Sequence, residues 1–278
     1  MADCHPNTLP AMRDRYDGVI IDINKQTYET EEDFEKKLVN SLCSWSKEAV
    51  RGVWVKIPLD MATLVPICAK HKFVYNHAKP SYVMMTRWLP QDEENCIPPY
   101  ANQYLGCAGF VVNSEKKLLV IQEKYHVQKM WKLPGGLADT GEDIGEAAER
   151  EVFEETGVRC KFQSIICFRH MHKFRHGLDD FYFICLMEPM SKEITKCDRE
   201  ISACCWMDLD EYINHPDVSH TNKMFAECYL NMIARKEKLS IQPTVVPHFS
   251  GTKNDLLYSM LPFPDTSSSS SSSQEQKQ

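Results

Sequence analysis

Acidic side chains are concentrated in one short stretch, GGLADTGEDIGEAAEREVFEETGV, at residues 135–158, where eight of twenty-four residues are Asp or Glu. Carboxylates that are held together away from water either acquire raised pKa values or bind a cation. Oxygen ligands in such a cluster suit hard divalent ions, of which Mg²⁺ and Mn²⁺ are the common ones. The alternative is a solvated helix face, and the helical phase of the acids distinguishes the two.

The segment from Ile144 to Thr156 is predicted to be a helix, which Gly157 ends at the position where glycine is favoured. A helix turns about 100° per residue, so that Ala148 lies about 40° and Val152 about 80° from the direction of Ile144. These apolar residues define the side of the helix that is expected to face the core.

Three glutamates share this side of the predicted helix. At about 100° per residue, Glu151 falls near −20°, Glu155 near +20° and Glu154 near −80°. They extend the apolar stripe, and we therefore predict that all three point inward and bind Mg²⁺ or Mn²⁺. Arg150 lies beside the group and can pair with one acid and hold it in position.

Nine positions of this stretch fit the Nudix box, which reads G, five residues, E, seven residues, then R-E-aliphatic-x-E-E-x-G-aliphatic. At ordinary residue frequencies a chance match in a chain of this length is on the order of one in ten million. The chain therefore resembles the Nudix hydrolase family. The matching residues are Gly136, Glu142, Arg150, Glu151, Val152, Glu154, Glu155, Gly157 and Val158.

The resemblance implies a fold and a metal site. The fold would be an α/β/α sandwich with the box as a loop, a helix and a second loop. Glu151 and Glu155 would be the main metal ligands, with Glu154 assisting and the Gly136 carbonyl as a further oxygen. Arg150 would orient Glu151.

The reaction implied by the resemblance is attack of a metal-activated water on one phosphorus of a diphosphate linked to a nucleoside. This agrees with elementary chemistry, because a metal ion lowers the pKa of its water and neutralises charge on the diphosphate. Glu142 would support the loop or an outer metal ion. The general base is left open between a box glutamate and Glu200, an acid of a later loop six residues before Trp206.

The resemblance continues outside the box, in SYVMMTRWLP, MWKLPGGL and CCWMDLDEY, and covers about residues 16–262. These stretches look like the subfamily of the Nudix hydrolase encoded antisense to basic fibroblast growth factor. The resemblance implies activity on ADP-ribose and NADH/NAD-like dinucleotides. The motifs of several other substrate classes, including an S-Q-P-W-P-F-P-type sequence after the box, are absent. Two alternatives are a regulatory protein that binds a nucleotide with little turnover and an mRNA-decapping hydrolase.

Basic side chains cluster in FRHMHKFRHGLDDF, residues 168–181, between two predicted strands. A basic hairpin would suit a polyanionic ligand, which makes Arg169, His172, Lys173 and Arg175 candidates for substrate binding. A solvated loop is the alternative. His172 and His176 also suggest zinc, but no cysteine or third histidine completes that set.

The chain is predicted to have two folded parts. The first is a smaller amino-terminal α/β domain that resembles a partial acetyltransferase fold, with a structural or dimerising role in preference to a second activity. No glycine-rich turn precedes a helix there to hold the pyrophosphate of acetyl-CoA. The predicted divisions are a flexible amino terminus at 1–15, this domain at 16–95, a linker at 96–103, the Nudix domain at 104–238, an irregular extension at 239–266 and a disordered serine-rich tail at 267–278.

Composition limits the partners and the compartment. The net charge of −7 and the pI near 5.8 argue against a nonspecific nucleic-acid binder. No apolar run is long enough for a membrane span, and the amino terminus does not have the order of a secretory signal. We therefore expect a nucleotide as the small-molecule substrate, no membrane partner, a homodimer as one assembly, and the cytoplasm as compartment, with nucleus and mitochondrion as alternatives. The twelve cysteines contain no C-x-x-C pair and are expected to be free thiols.

Overall fold

The computed structural model describes residues 7–125, 128–234, 241–247 and 252–260. The chain forms two compact units, Met1–Asn102 and Gln103–Gln278. None of the helices in these described ranges combines the length and the apolar character that crossing a membrane requires.

The first unit is built on a five-stranded sheet in the order β1-β2-β3-β5-β4, in which β2 and β3 are parallel and every other pair is antiparallel. The parallel pair is joined through the long helix α1. The elements are β1 Met12–Arg13, β2 Val19–Asp22, α1 Glu31–Lys47, β3 Gly52–Pro58, α2 Leu64–Lys70, β4 Val74–Lys79 and β5 Tyr82–Trp88.

Helix α1 begins and packs as its sequence indicates. The Thr30 hydroxyl accepts a 3.2 Å hydrogen bond from the backbone N–H of Asp33, which satisfies a donor of the first turn. Phe34, Leu38 and Trp45 recur at helical spacing and are buried in the core of this unit. The unit is an α/β structure, as predicted, and its likeness to acetyltransferases stays a prediction.

The ends of the first unit differ from the expectation of a flexible amino terminus and a separate linker. Leu9 is buried in the core, and its backbone N–H donates a 2.7 Å hydrogen bond to the Ser41 hydroxyl. At the other end, Pro98 accepts a bond from Asn76, and Tyr100 stacks on His77 with ring centroids 4.3 Å apart. Leu9 and Tyr100 therefore contact the folded part of this unit, Leu9 by apolar packing and Tyr100 by ring stacking.

The second unit has a four-stranded sheet in the order β8-β6-β10-β9, with β6 and β10 parallel and the outer pairs antiparallel. Two further antiparallel pairs are β11 with β7 and β12 with β13. The elements are β6 Gln103–Val111, β7 Lys117–Glu123, β8 Gly135–Leu137, α3 Ile144–Thr156, β9 Cys160–Arg175, β10 Leu178–Pro189, β11 Ile201–Asp208, α4 Leu209–Asn214, α5 His220–Ala234, β12 Gln242–Pro247 and β13 Asn254–Ser259.

Apolar residues cover both faces of this sheet. On one face, Ala148 and Val152 of α3 pack with Cys107 of β6. On the other, Phe225 of α5 packs with Phe110 of β6. Alternate residues of one strand thus enter two cores, as the two-residue period of a strand requires. The expected α/β/α sandwich is confirmed.

Within the expected irregular extension, the described residues 241–247 and 252–260 are more regular than expected. Strands β12 and β13 form a hairpin, and the Ile165 N–H of β9 donates a 2.9 Å hydrogen bond to the carbonyl of Ile241. The predicted disordered tail at 267–278 lies outside the described residues. All cysteines within the described ranges are free, which confirms the expectation for that part of the chain.

Candidate active site

Two glycines of the segment before α3 allow its backbone to lie close to the sheet and to the Glu151 carboxylate. Gly135 and Gly136 form β8 and pair with Ala108 and Cys107. A Cβ on Gly135 would lie 2.3 Å from the Cys107 carbonyl oxygen. A Cβ on Gly136 would lie 2.6 Å from Oε2 of Glu151. The Glu151 carboxylate therefore packs directly against the backbone of Gly136, and a larger residue would displace it.

Helix α3 has the boundaries that its sequence predicts. The Glu146 carboxylate accepts a 3.3 Å hydrogen bond from the Asp143 N–H at the start of the helix. Gly157 ends it with a φ of 71°, a conformation in which a side chain is unfavourable. Because both ends of the helix are fixed, its rotation about its own axis is also fixed. This rotation determines the direction in which each glutamate points.

Glu155 and Glu151 face inward as predicted. Glu155 is 8% exposed and accepts a 2.7 Å hydrogen bond from the Gly135 N–H. The side chain of Glu151 is 15% exposed. The prediction for Glu154 is wrong, since its side chain is 58% exposed. At about −80° it lies beyond the edge of the apolar stripe, where the described structure places no element over it.

Arg150 holds the acids together. Its Nε and Nη2 donate to the two oxygens of Glu142 at 2.8 and 2.9 Å, the paired geometry that favours arginine over lysine. Its Nη1 donates to Glu151 at 2.8 Å and to Glu154 at 3.3 Å, and its Nη2 also donates to the Leu137 carbonyl at 3.0 Å. The hydrogen bond to Arg150 lowers the pKa of Glu142, and the same bond raises the pKa of Arg150. The loop, the helix and three carboxylates are thereby joined through one guanidinium.

Burial perturbs the two inward glutamates. It raises the pKa of Glu155 to about 7, against the opposing effects of Lys132 and of the Gly135 N–H. It also raises the pKa of Glu151, against the opposing hydrogen bond from Arg150. Carboxyl groups with raised pKa values bind a proton or a cation more readily, which is expected of metal ligands.

An ion pair beside Glu155 was not expected from the sequence. Lys132, in the loop before β8, is paired with Glu123 at the end of β7, and both charges act on the pKa of Glu155. The signal in the sequence is weak, because Lys132 is only one basic residue in WKLPGG and Glu123 lies twelve residues before β8. An antiparallel bridge between Ile121 of β7 and Lys132 brings the two together.

Glu200, the later acid that was considered as general base, is exposed in the turn before β11. Its carbonyl accepts a 2.7 Å hydrogen bond from the Lys124 N–H. Over the ranges that the structure describes, no hydrogen bond or ion pair joins its carboxylate to a box residue. Its role as base stays a prediction.

The basic segment is not a loop, which corrects the expected position of its residues. Arg169, His172, Lys173 and Arg175 all lie on β9, and the turn to β10 contains only His176 and Gly177. Aspartates neutralise part of the charge. Arg169 pairs with Asp180 at 2.9 Å, and His172 contacts Asp179 at 2.8 Å. Their role in substrate binding stays a prediction.

The site residues fit a divalent metal ion. The half-buried Glu151, the buried Glu155, the exposed Glu154 and the adjacent backbone of Gly136 offer only oxygen ligands. Oxygen ligands suit Mg²⁺ and Mn²⁺. Trp131 and Trp206 pack partly against the two cores of this unit, and the Trp206 Nε1 donates a 3.0 Å hydrogen bond to the Lys192 carbonyl.

Two family models match the chain. A model described as the NUDIX domain matches residues 104–228, and one described as the Nudix hydrolase domain matches residues 9–89. Among solved structures, a NUDIX hydrolase from Nitrosomonas europaea is 22% identical and covers 46% of this chain and 89% of its own, with a TM-score of 0.41.

Curated relatives extend the likeness over both units. Nudix hydrolase 8 of Arabidopsis thaliana is 38% identical over 260 residues, which are 91% of this chain and 70% of the relative. Nudix hydrolase 2 of the same plant is 38% identical over 76% of each protein. The human protein "Nucleoside diphosphate-linked moiety X motif 6" is 37% identical over 64% of this chain and 57% of its own length. With the complete box, the inward-facing Glu151 and Glu155 and relatives matched over most of their length, this chain belongs to the Nudix hydrolase family and is a pyrophosphohydrolase.

Proposed function

We propose that this protein hydrolyses the diphosphate linkage of nucleoside diphosphate-linked compounds with the help of Mg²⁺ or Mn²⁺. The observation that supports this most is the arrangement around Arg150, which fixes Glu151 and Glu142 beside the Gly136 backbone. A protein that only binds nucleotides does not require inward-facing carboxylates with raised pKa values, as Glu151 and Glu155 have.

Glu151 and Glu155 would hold the metal ion, with Glu154 and the Gly136 carbonyl as further oxygens. A bound divalent ion lowers the pKa of water and offsets charge on a diphosphate. Arg150 keeps Glu151 in place, and its guanidinium donates hydrogen bonds to the carboxylates of Glu142, Glu151 and Glu154. Glu154 is exposed, and among the described residues its carboxylate is paired only with Arg150, at 3.3 Å, so it is a candidate for the general base beside Glu200.

For the substrate we propose ADP-ribose and NADH/NAD-like dinucleotides, as the wider sequence resemblance implies. Arg169, with its cation 5.2 Å from the centre of the Tyr182 ring, together with Lys173 and Arg175, would contact the anionic part of such a ligand. The finer relationship, to the Nudix hydrolase encoded antisense to basic fibroblast growth factor, stays a prediction, as do the homodimer and the cytoplasmic location.

Hydrolysis of a substrate panel with Mg²⁺ tests the proposal. ADP-ribose, NADH, NAD⁺, diadenosine polyphosphates, coenzyme A and capped RNA are compared at equal concentration, and ADP-ribose or NADH is expected to be cleaved fastest. Capped RNA as the best substrate would favour the decapping alternative. Nucleotide binding without metal-dependent cleavage of any compound would favour the regulatory alternative.

Glutamine variants of the box acids test the metal site itself. Glu151→Gln, Glu154→Gln and Glu155→Gln are each expected to lower kcat by about 100-fold or more, because several kcal/mol of charge stabilisation are lost. Glu149→Gln is the matched control on the same helix, since the glutamine can still accept the 2.7 Å hydrogen bond from the Phe162 N–H. Full activity in the Glu155→Gln variant would contradict the assignment.

A further inference from the structure

Two histidines and one aspartate meet on the β9–β10 hairpin, away from the box in sequence. Nδ1 of His172 lies 2.8 Å and Nε2 of His170 lies 3.6 Å from Oδ2 of Asp179. One ligand atom from each of the three residues lies within 4.8 Å of the other two. From the sequence, His172 and His176 suggest zinc without a cysteine or third histidine to complete the set, whereas the structure brings His172 together with His170 and Asp179.

The backbone of the hairpin explains how the three side chains come together. His170 and His172 are two residues apart on β9 and therefore point to the same face. The register then shifts, since Met171 pairs with Asp180 while Arg175 pairs with Leu178. Asp179 alone opposes the residues from 172 to 174, and its side chain turns toward the histidines.

Neighbouring groups hold the three side chains in place. Oδ1 of Asp179 accepts a 3.0 Å hydrogen bond from the Lys173 N–H, which leaves Oδ2 directed at the histidines. The His170 ring stacks on Phe181 at 4.2 Å with an interplanar angle of 6°. The His176–Gly177 turn, with φ values of 52° and 77°, is the tight two-residue turn that fixes the hairpin register. Contacts of this kind orient the ligands in metal sites.

We propose that His170, His172 and Asp179 form a binding site for a zinc-type transition metal ion, separate from the Mg²⁺ site of the box. Two imidazoles and one carboxylate are a ligand set typical of Zn²⁺, and three protein ligands leave a fourth position open for water or a ligand. Nitrogen ligands distinguish this site from the all-oxygen box, where Mg²⁺ is preferred. His172 is 72% exposed on its side chain, so an ion has direct access.

Metal titration of the full chain in excess Mg²⁺ tests the proposal. Isothermal titration with Zn²⁺ is expected to show one site per chain, and Co²⁺ is expected to give visible bands without thiolate absorption in the near ultraviolet. His170→Ala, His172→Ala and Asp179→Asn should each weaken binding by roughly tenfold or more. The asparagine retains an acceptor for the Lys173 N–H, so the hairpin is preserved in that variant.

His176→Asn is the matched control, because it removes a histidine of the same hairpin, and asparagine tolerates the positive φ there. Its affinity for Zn²⁺ should equal that of the unmodified chain. The proposal is overturned by any of three results: no Zn²⁺ uptake, equal weakening in the control, or a thiolate band that assigns the bound ion to cysteines.

Discussion

The buried carboxylate of Glu155 accepts a 2.7 Å hydrogen bond from the backbone N–H of Gly135, and this bond joins helix α3 to the strand that precedes it. Burial nevertheless raises the pKa of Glu155 to about 7, because one hydrogen bond and the nearby Lys132 do not replace the lost hydration. An acid that is fixed by the strand is thus also one that is partly protonated near neutral pH when no metal is bound.

The affinity for Mg²⁺ should depend on pH through Glu155. A metal ion must displace the proton of this carboxyl, so affinity should fall by roughly tenfold for each pH unit below its pKa. Calorimetry in buffers of different ionisation enthalpy measures the proton released. Glu149→Gln should retain this dependence, and Glu155→Gln should lose the part that Glu155 contributes, while the raised pKa of Glu151 still acts. An affinity independent of pH in the unmodified chain would contradict the assigned pKa.

Metal-free stability should respond to the same residue with a defined sign. A folded-state pKa of about 7, above the ordinary value of 4.5, means that the stability contributed by this carboxyl is complete below 4.5 and is lost as pH rises through 7. Glu155→Gln stays neutral and should therefore be more stable than the unmodified chain at about pH 8, by on the order of 2 kcal/mol.

Thermal unfolding with a chelator present measures this difference, which should disappear near pH 4.5. Added Mg²⁺ should reverse the order, because only the unmodified chain gains stability from the bound ion. A variant that is less stable than the unmodified chain at alkaline pH without metal would show that Glu155 is stabilised by its partners as an anion.

The Arg150→Lys variant should lose activity although it keeps the charge. A lysine cannot bond both oxygens of Glu142 and also reach Glu151, so the carboxylates lose their fixed positions. We expect kcat/KM to fall by about 10- to 100-fold, with unchanged far-ultraviolet circular dichroism. Arg159→Lys is the control, since Arg159 lies over the Phe153 ring outside this network. Equal activity of the two variants would contradict the positioning role.

The Gly136→Ala variant should disturb Glu151 in particular. The added methyl would lie 2.6 Å from the carboxylate, a side-chain end that can move, so the fold is expected to persist while the ligand shifts. A shift of this size should reduce kcat by about 100-fold. Gly52→Ala is the control, as its nearest neighbours would be 3.6 Å away. Unchanged metal affinity in Gly136→Ala would contradict the contact between Gly136 and Glu151.

The helix that carries the box could be predicted to the residue because its limits are local. Glu146 at its start and Gly157 at its end act within a few residues of themselves. The inward direction of Glu151 and Glu155 followed from the turn of about 100° per residue in a helix. The exposure of Glu154 could not be predicted in this way. The helical period gives only the direction of a side chain, whereas its exposure depends on which other element packs over that direction.

Sequence alone thus determined the box, its helix, the inward direction of two glutamates and the α/β character of both units, since these depend on residue type and local period. The tertiary structure decided which distant residues meet. Strand pairing brought Lys132 and Glu123 beside Glu155, and a register shift turned Asp179 toward His170 and His172. The physical reason is that pairing and register are set by the packing of whole strands, which no short stretch of sequence specifies.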